Sequence, residues 1–537
     1  MKENEARRNF VTAIGAAGLG AFAGGFRSSA ADTSSSGGDL SSVYDIRKFG
    51  AKGDGKAIDT PAINKALEAA AEAGGGTVHV PAGSYLCYSI RLKSKVCLHL
   101  APGATIIAAD PPSEKGQEGF DLPESNKPWE DYQDFGHNHW HNSLIWGEGL
   151  KSVSITGPGL IWGRGLSRGE GNGPVAEVPG VGNKAIALKN CCDVLLRDLS
   201  ILHGGHFGIL ATGVDNLTID NLKIDTNRDG IDVDCCRNVR ISNCSVNSPW
   251  DDAICLKSSY ALGYARATEM VTISDCMVSG SFEEGTLLDA TFKRFPAGSD
   301  VDRNGRIKFG TESNGGYKNI AISNCVFDGC FGLTILSVDG GIIEDVSISN
   351  ITMKETVGAP IFLRLGSRLR GPAGVPVGVI RRVNISNIVS SSSDTSKICS
   401  MITGVPGHKI EDLKISDVLV EHAGGGTSSD AAIRLAEKEK EYPEPTMFGA
   451  TPAHGLLIRH ASGIEVSDFK VLTKAPDARP CVVVDDADQV DFFNLKADIV
   501  PNEPVFVLNN VNEFSAARCR SIADVQVSHA DHQELKK

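Results

Sequence analysis

A short pattern, apolar-x-apolar-x-Asn/Asp-x-apolar, recurs along most of this 537-residue chain and constrains its fold more than any other feature. It reads VSITGPGLI from Val153, VLLRDLSIL from Val194, LTIDNLKI from Leu217, VRISNCSV from Val239, VTISDCMV from Val271 and IAISNCVF from Ile320. It continues as VSISNITM from Val346, VNISNIVS from Val383, LKISDVLV from Leu413, IEVSDFKV from Ile464 and VDFFNLKA from Val490. Alternating apolar residues over such short runs predict strands with one face inward. The Asn or Asp that punctuates each run suits a bend, because a short polar side chain tolerates the left-handed conformation. The tightest spacings are 22 residues (217 to 239), 23 (194 to 217) and 26 (320 to 346 and 464 to 490). One unit per 22 to 26 residues, without helical periodicity between units, predicts an all-β parallel β-helix. A propeller blade would need roughly 40 residues or more, and the leucine-rich pattern is missing.

A solenoid explains how one domain can run this long, since each coil packs only on its neighbours. The domain is expected over residues 43–515, with a tail at 516–537. Before it, Arg7-Arg8 precede a Gly/Ala-rich stretch and then Ser28-Ser29-Ala30-Ala31. Residues 1–31 therefore resemble a twin-arginine export signal and 32–42 read as a flexible linker, so a periplasmic or extracellular location is expected. No run of eighteen apolar residues predicts a membrane span. At the start of the domain, Asp59 or Thr60 with Pro61 opens a helical run that Gly74-Gly75-Gly76 stops, and this short helix is expected to cap the solenoid. The loop Phe49-Gly50-Ala51-Lys52-Gly53-Asp54-Gly55 lacks phosphate-loop spacing and reads as a structural turn.

The formal charge is −13, and losing residues 1–30 (four basic and two acidic side chains) would leave it near −15. So acidic a chain does not attract polyanions through its overall field, and a nucleic-acid partner is not expected. Fourteen cysteines are too few for a disulfide scaffold. Cys244, Cys276 and Cys325 hold one place in successive repeats and are expected to stack as buried thiols; no zinc spacing appears.

Chemistry concentrates in two adjacent repeats. Asn227-Arg228-Asp229-Gly230 is followed, about two dozen residues later, by Trp250-Asp251-Asp252. Coils stack about 4.8 Å apart, so Asp229, Asp251 and Asp252 should meet on one face. Clustered carboxylates shift one another's proton affinities, the condition for paired acid and base work.

FGAKGDG, GGGTVHVPAG, LHLAPGAT, ITGPGLIWGRG, Asn227-Arg228-Asp229-Gly230 and Trp250-Asp251-Asp252, in that order, resemble glycoside hydrolase family 28. That family includes the polygalacturonases and rhamnogalacturonan hydrolases. The resemblance spans roughly residues 43–515 and implies a right-handed parallel β-helix that hydrolyses glycosidic bonds in plant cell-wall pectic carbohydrate with inversion, without a cofactor or metal. It further implies Asp251 as general acid, Asp229 and Asp252 as the carboxylates that activate water, and Asn227, Arg228 and Lys257 as supporting or substrate-binding residues. His206, one coil earlier, is a candidate subsite ligand. A monomer is expected.

Two departures stand out. The family's Gly-His-Gly histidine is absent near Gly305. Its Arg-Ile-Lys position should fall at Thr334-Ile335-Leu336, so Arg306-Ile307-Lys308 is out of place, although Arg306 and Lys308 can still bring charge to the groove. In polygalacturonases those basic residues are understood to meet a galacturonate carboxylate. Candidate substitutes here are Lys293, Arg294 and Arg370, and above all Arg364 and Arg368, which would share a strand face. Insertions at about 279–304, with Glu283 and Glu284, and at 424–454, with a helix-like stretch from Ala431 to Glu441, should frame the groove; closing one end would favour exo action. His137, His139 and His141 could share a strand face and draw a metal, but structural or sugar contacts are favoured. Two rival readings exist: a Ca²⁺-dependent β-helix lyase using Asp229, Asp232, Asp234, Asp251 and Asp252, and a non-catalytic carbohydrate-binding solenoid.

Overall fold

The computed structural model describes residues 43–112, 118–134, 136–169, 178–296 and 298–536. The export signal and linker expected at 1–42 lie outside them. The described chain is a parallel β-helix, and its coils stack in the register of the repeat. Val153, Val194, Leu217, Val239, Val271 and Ile320 are successive partners in one parallel ladder. The ladder runs on through Val346, Val383, Leu413, Ile464 and Val490. Within a coil the chain turns between short strands, as in Phe207–Thr212, Asp215–Asp220 and Lys223–Asp225. Their apolar side chains point inward and build one continuous core.

The corners confirm the role read for Asn and Asp. Asp198, Asn221, Asn243, Asp275, Asn324, Asn350, Asn387, Asp417, Asp468 and Asn494 all have positive φ, between 52° and 66°. Their side chains also bond up the stack: Asn350 Nδ2 donates to Asn324 Oδ1 at 3.0 Å, and Asn387 Nδ2 to Asn350 Oδ1 at 2.6 Å. Asn350→Ala forces a Cβ-bearing residue without this polar partner into the left-handed region. It is expected to lower stability by about 1–2 kcal/mol, while Asn350→Gly loses less. Urea unfolding of both variants measures the difference.

Both ends of the solenoid are covered. Helix Thr60–Glu72, with Pro61 in its first turn, buries Ile63, Ala66, Leu67 and Ala70. Asp59 does not cap it by a side-chain bond. Its carboxylate instead accepts the backbone N–H groups of Lys52 (2.6 Å) and Gly53 (3.0 Å), which makes the FGAKGDG loop a structural turn. At the other end, the segment expected as a tail is ordered: strand Phe506–Ala517 pairs antiparallel with Val525–Leu535, which occupies its otherwise open edge. All fourteen cysteines are free thiols, with Cys244, Cys276 and Cys325 buried.

One local expectation fails. In the 424–454 insertion only Ser428–Ala431 is α-helical and Pro445–Phe448 forms a 3-10 turn, while Ala432 to Glu441 is not helical. The carbonyls that a helix would use are taken by tertiary donors. Arg459 bonds Leu435 O, Arg364 bonds Glu437 O and Lys438 O, and the Ser367 N–H bonds Glu439 O. No helix among the described residues is long and apolar enough to cross a membrane.

Candidate active site

Four rungs of one sheet, Phe207–Thr212, Asp229–Asp234, Ile254–Ser258 and Ile307–Ser313, carry the expected acids. Phe207 pairs with Asp229, Ile231 with Ile254, and Ile254 with Ile307. Asp229 opens its strand, and Asp251 and Asp252 lie just before theirs, so the stacking gathers all three. One oxygen from each lies within 4.8 Å of the others. The Asp252 N–H donates to Asp229 Oδ1 (3.2 Å) and to Asp251 Oδ1 (3.0 Å), which orients both carboxyls.

The three environments differ. Asp252 is buried between two cations: Arg306 Nε donates to Oδ1 at 2.8 Å and Lys308 Nζ lies 2.9 Å from Oδ2. Against the opposing effect of burial, these cations hold Asp252 below the usual carboxylate range. Burial and the neighbouring Asp232 and Asp251 push Asp229 well above it. Asp251 is also raised, by burial and by Asp252, although Arg228 pulls the other way with its guanidinium 3.2 Å from Asp251 Oδ2. Asp251 is the most open of the three, its side chain 24% exposed. The site thus holds one carboxyl whose ionised form is favoured beside two that retain protons more readily.

The remaining expected residues divide into those that support the trio and those engaged elsewhere. Lys257 is buried, with Nζ 3.2 Å from Asp232, 3.6 Å from Asp229 and 3.6 Å from the buried Glu312. It backs Asp229 from beneath rather than facing solvent. Asn227 is buried, and its Oδ1 has no hydrogen-bond partner among the described residues. His206 is buried one coil earlier, Nδ1 3.1 Å from Arg168 O, and burial drives its imidazole toward the neutral form.

Arg364 and Arg368, expected at the groove, have their charged groups engaged with other partners. Arg364 donates to Gly404 O (2.9 Å) and, in the 424–454 insertion, to Glu437 O (2.6 Å). Arg368 is clamped on Asp339, and Arg370 on Asp134 and Glu312. Arg364 lies on strand Val357–Leu365, whereas Arg368 and Arg370 follow it outside any strand, so Arg364 and Arg368 do not share the strand face expected of them. Lys293 pairs with Glu283 and Arg294 with Asp328, while Glu284 meets His203 Nε2 at 2.7 Å.

The three histidines diverge. His137 faces Asp232 (3.6 Å), His139 faces Glu130 (2.7 Å) and His141 faces Glu148 (2.9 Å). Trp140 is core: its indole N–H donates to Thr212 Oγ1 at 3.1 Å. Of the five aspartates proposed for calcium, Asp229, Asp251 and Asp252 gather closely enough to hold a cation, whereas Asp234 is taken up by the Ser259 N–H (2.8 Å) and hydroxyl (2.6 Å) and Asp232 pairs with Lys257 (3.2 Å).

Sequence reasoning missed Tyr442 and Glu444. They come from the 424–454 insertion and, with Asp251, Asp302, Asn304, Arg306, Lys308, Phe331 and Thr446, line a cavity of about 430 Å³ beside the trio. Glu444 lies 138 residues from Arg306, which it grips in a two-pronged ion pair. No local pattern announces such a contact.

Similarity to known proteins follows the same lines. Residues 43–145 match the family model described as rhamnogalacturonase A/epimerase, pectate lyase-like, and residues 176–304 match the right-handed β-helix region. A probable polygalacturonase of Vitis vinifera is 25% identical over 441 residues, covering 75% of this chain and 78% of that protein. The chain is thus similar in parts to pectate lyase-like and right-handed β-helix proteins, and over most of its length to a polygalacturonase. The fold is shared with the exopolygalacturonase of Thermotoga maritima (TM-score 0.56, 17% identity, 92% of this chain and 95% of that one). It is also shared with the family 28 exopolygalacturonase of Yersinia enterocolitica (TM-score 0.50, 17% identity, 88% and 78%).

Against the family's pattern, the strand register locates the displaced basic motif. Lys308 pairs with Cys255 on one side and with Thr334 on the other. Arg306-Ile307-Lys308 therefore sits on the coil immediately after Asp251 and Asp252, one coil before Thr334-Ile335-Leu336, where the family's basic motif was expected. That shift turns both cations directly onto Asp252.

Proposed function

We propose that the protein is an exported glycosidase that hydrolyses pectic polysaccharide or oligosaccharide of the galacturonan or rhamnogalacturonan type. The observation that carries this reading is the contrast in setting within the trio: Asp252 is clamped between Arg306 and Lys308, which favour its ionised form, while Asp251 opens to the cavity and is raised by burial and by Asp252. Paired carboxyl groups pushed apart in this way are the arrangement that glycoside hydrolysis requires. In this mechanism Asp251 protonates the leaving oxygen. Asp252, with Asp229 beside it, orders and deprotonates the attacking water, and Lys257 holds Asp229 in place.

Inversion is implied by the family resemblance, not by the spacing. Inverting pairs stand about 6.5–9.5 Å apart and retaining pairs about 5–5.5 Å; here the closest oxygens lie within 4.8 Å. What favours a water over direct attack by the protein is the clamp on Asp252. With each oxygen held by a cation, its lone pairs are poor nucleophiles. Exo action is supported by the 424–454 insertion, which brings Tyr442 and Glu444 against one side of the cavity.

Incubating the protein with homogalacturonan, rhamnogalacturonan and their oligosaccharides, with anomers followed by NMR, tests the reading. The expected products are saturated, of inverted configuration and released from chain ends. Unsaturated products that absorb in the ultraviolet and depend on calcium would establish a lyase instead, and retained configuration would overturn the water mechanism.

A further inference from the structure

The two cations that line the cavity beside Asp251 are the residues a sugar carboxylate would be expected to meet, yet both are already committed. Arg306 gives Nε to Asp252 (2.8 Å) and its NH1 to Glu444 Oε2 (2.7 Å), while its NH2 bonds the other Glu444 oxygen. Its plane also lies over the Phe331 ring, 5.1 Å from the centroid. Lys308 has Asp252 at 2.9 Å, Glu444 at 3.5 Å and the Tyr442 hydroxyl at 3.4 Å.

The fork of Glu444 on the guanidinium is the geometry in which arginine receives a ligand carboxylate. A uronate entering here would have to displace Glu444 and would leave that carboxylate unpaired beside a second one. Asp302 adds a further acidic side chain to the walls. An uncharged sugar meets none of these costs. It needs only hydrogen bonds from groups whose charge is already balanced, and a face of Tyr442 to rest on.

We propose that Glu444 is a specificity-determining residue that stands in for a substrate carboxylate, so that the subsite beside Asp251 takes an uncharged glycosyl unit and rejects a free uronate. The proposal rests on the hydrolase reading above for its setting, but its test includes binding without turnover. The probes are pentagalacturonate and its fully methyl-esterified form, which share a backbone and differ in charge.

Wild-type protein is expected to favour the ester by about tenfold or more, in kcat/KM and in calorimetric affinity for the Asp251→Asn protein. Glu444→Gln frees the guanidinium from its internal anion and shifts the ratio toward the free acid by about 10- to 100-fold, the scale of a charged hydrogen bond. A wild-type preference for the acid, equal use of the two, binding of neither, or an unchanged ratio in Glu444→Gln overturns the proposal. If Glu444→Gln fails to fold by circular dichroism, the wild-type ratio alone decides. Absence of hydrolysis on every pectic substrate defeats the functional reading, whereas the calorimetric preference still tests the subsite.

Discussion

Asp251→Asn is expected to lower kcat by about 10²- to 10⁴-fold, the range a positioned general acid supplies, with little change in the folded structure. The amide keeps the shape of the carboxyl and can still accept the Asp252 N–H bond that orients it. What it loses is a proton to give to the leaving oxygen. The pH profile carries a second, sharper test. Because the Asp251 pKa is raised, the acid form persists above the ordinary carboxylate range and activity falls as pH rises through that value. Because the Asp252 pKa is lowered, its ionised form persists to low pH and activity falls only as pH drops through it. The limbs belong to the coupled trio as a whole. In Asp251→Asn the residual activity should flatten on its alkaline side while the acid limb remains. A residual profile that keeps its alkaline limb, or a loss of less than tenfold, would move the acid role elsewhere in the trio.

Arg306→Ala should be the most destabilising single change in the site. Its side chain is buried and holds Asp252 on one edge and Glu444 on the other. Removing one member of a buried ion pair leaves an uncompensated charge and costs about 3–5 kcal/mol. Here one substitution leaves two carboxylates with Lys308 as their shared remaining cation, and it also removes the packing over Phe331. The 424–454 insertion should loosen with it, because Glu444 is one of its inward anchors. Calorimetric melting and limited proteolysis of the insertion measure both effects. The same change raises the Asp252 pKa, since a cation that lowers it is gone, so the acid limb of any remaining activity moves to higher pH. The linkage has the matching sign. A carboxylate with a depressed folded pKa adds stability above its unfolded pKa and loses it as pH falls through the folded one. Wild type should therefore lose more stability than Arg306→Ala on acidification. Equal melting temperatures for the two proteins at neutral pH would show that the triad of Asp252, Arg306 and Glu444 is not held as described.

Much of this was legible in the chain because a solenoid is locally encoded. A strand that repeats every coil must place Val194, Leu217 and Val239 on top of one another, and its Asn or Asp corners must turn at the same point. Asp229, Asp251 and Asp252 share that encoding, since they flank strands whose register the repeat dictates. The departure from the family's basic motif was legible too, because Arg306-Ile307-Lys308 could be counted to its coil. Its consequence was not. Arg364 and Arg368 read as groove cations from alternation alone, but their partners, Gly404 O, Glu437 O and Asp339, come from other coils and an insertion. The helix expected at Ala431 to Glu441 failed for the same reason, its carbonyls being claimed from outside the segment.

The sequence by itself determined the coil, its register and the meeting of the three acids, because those depend on spacings of a few residues within one repeated unit. Only the tertiary structure decided their charge states and the company they keep. Proton affinity depends on burial and on the distance to every nearby charge. The decisive charges include Glu444, delivered by a loop 138 residues along the chain from Arg306.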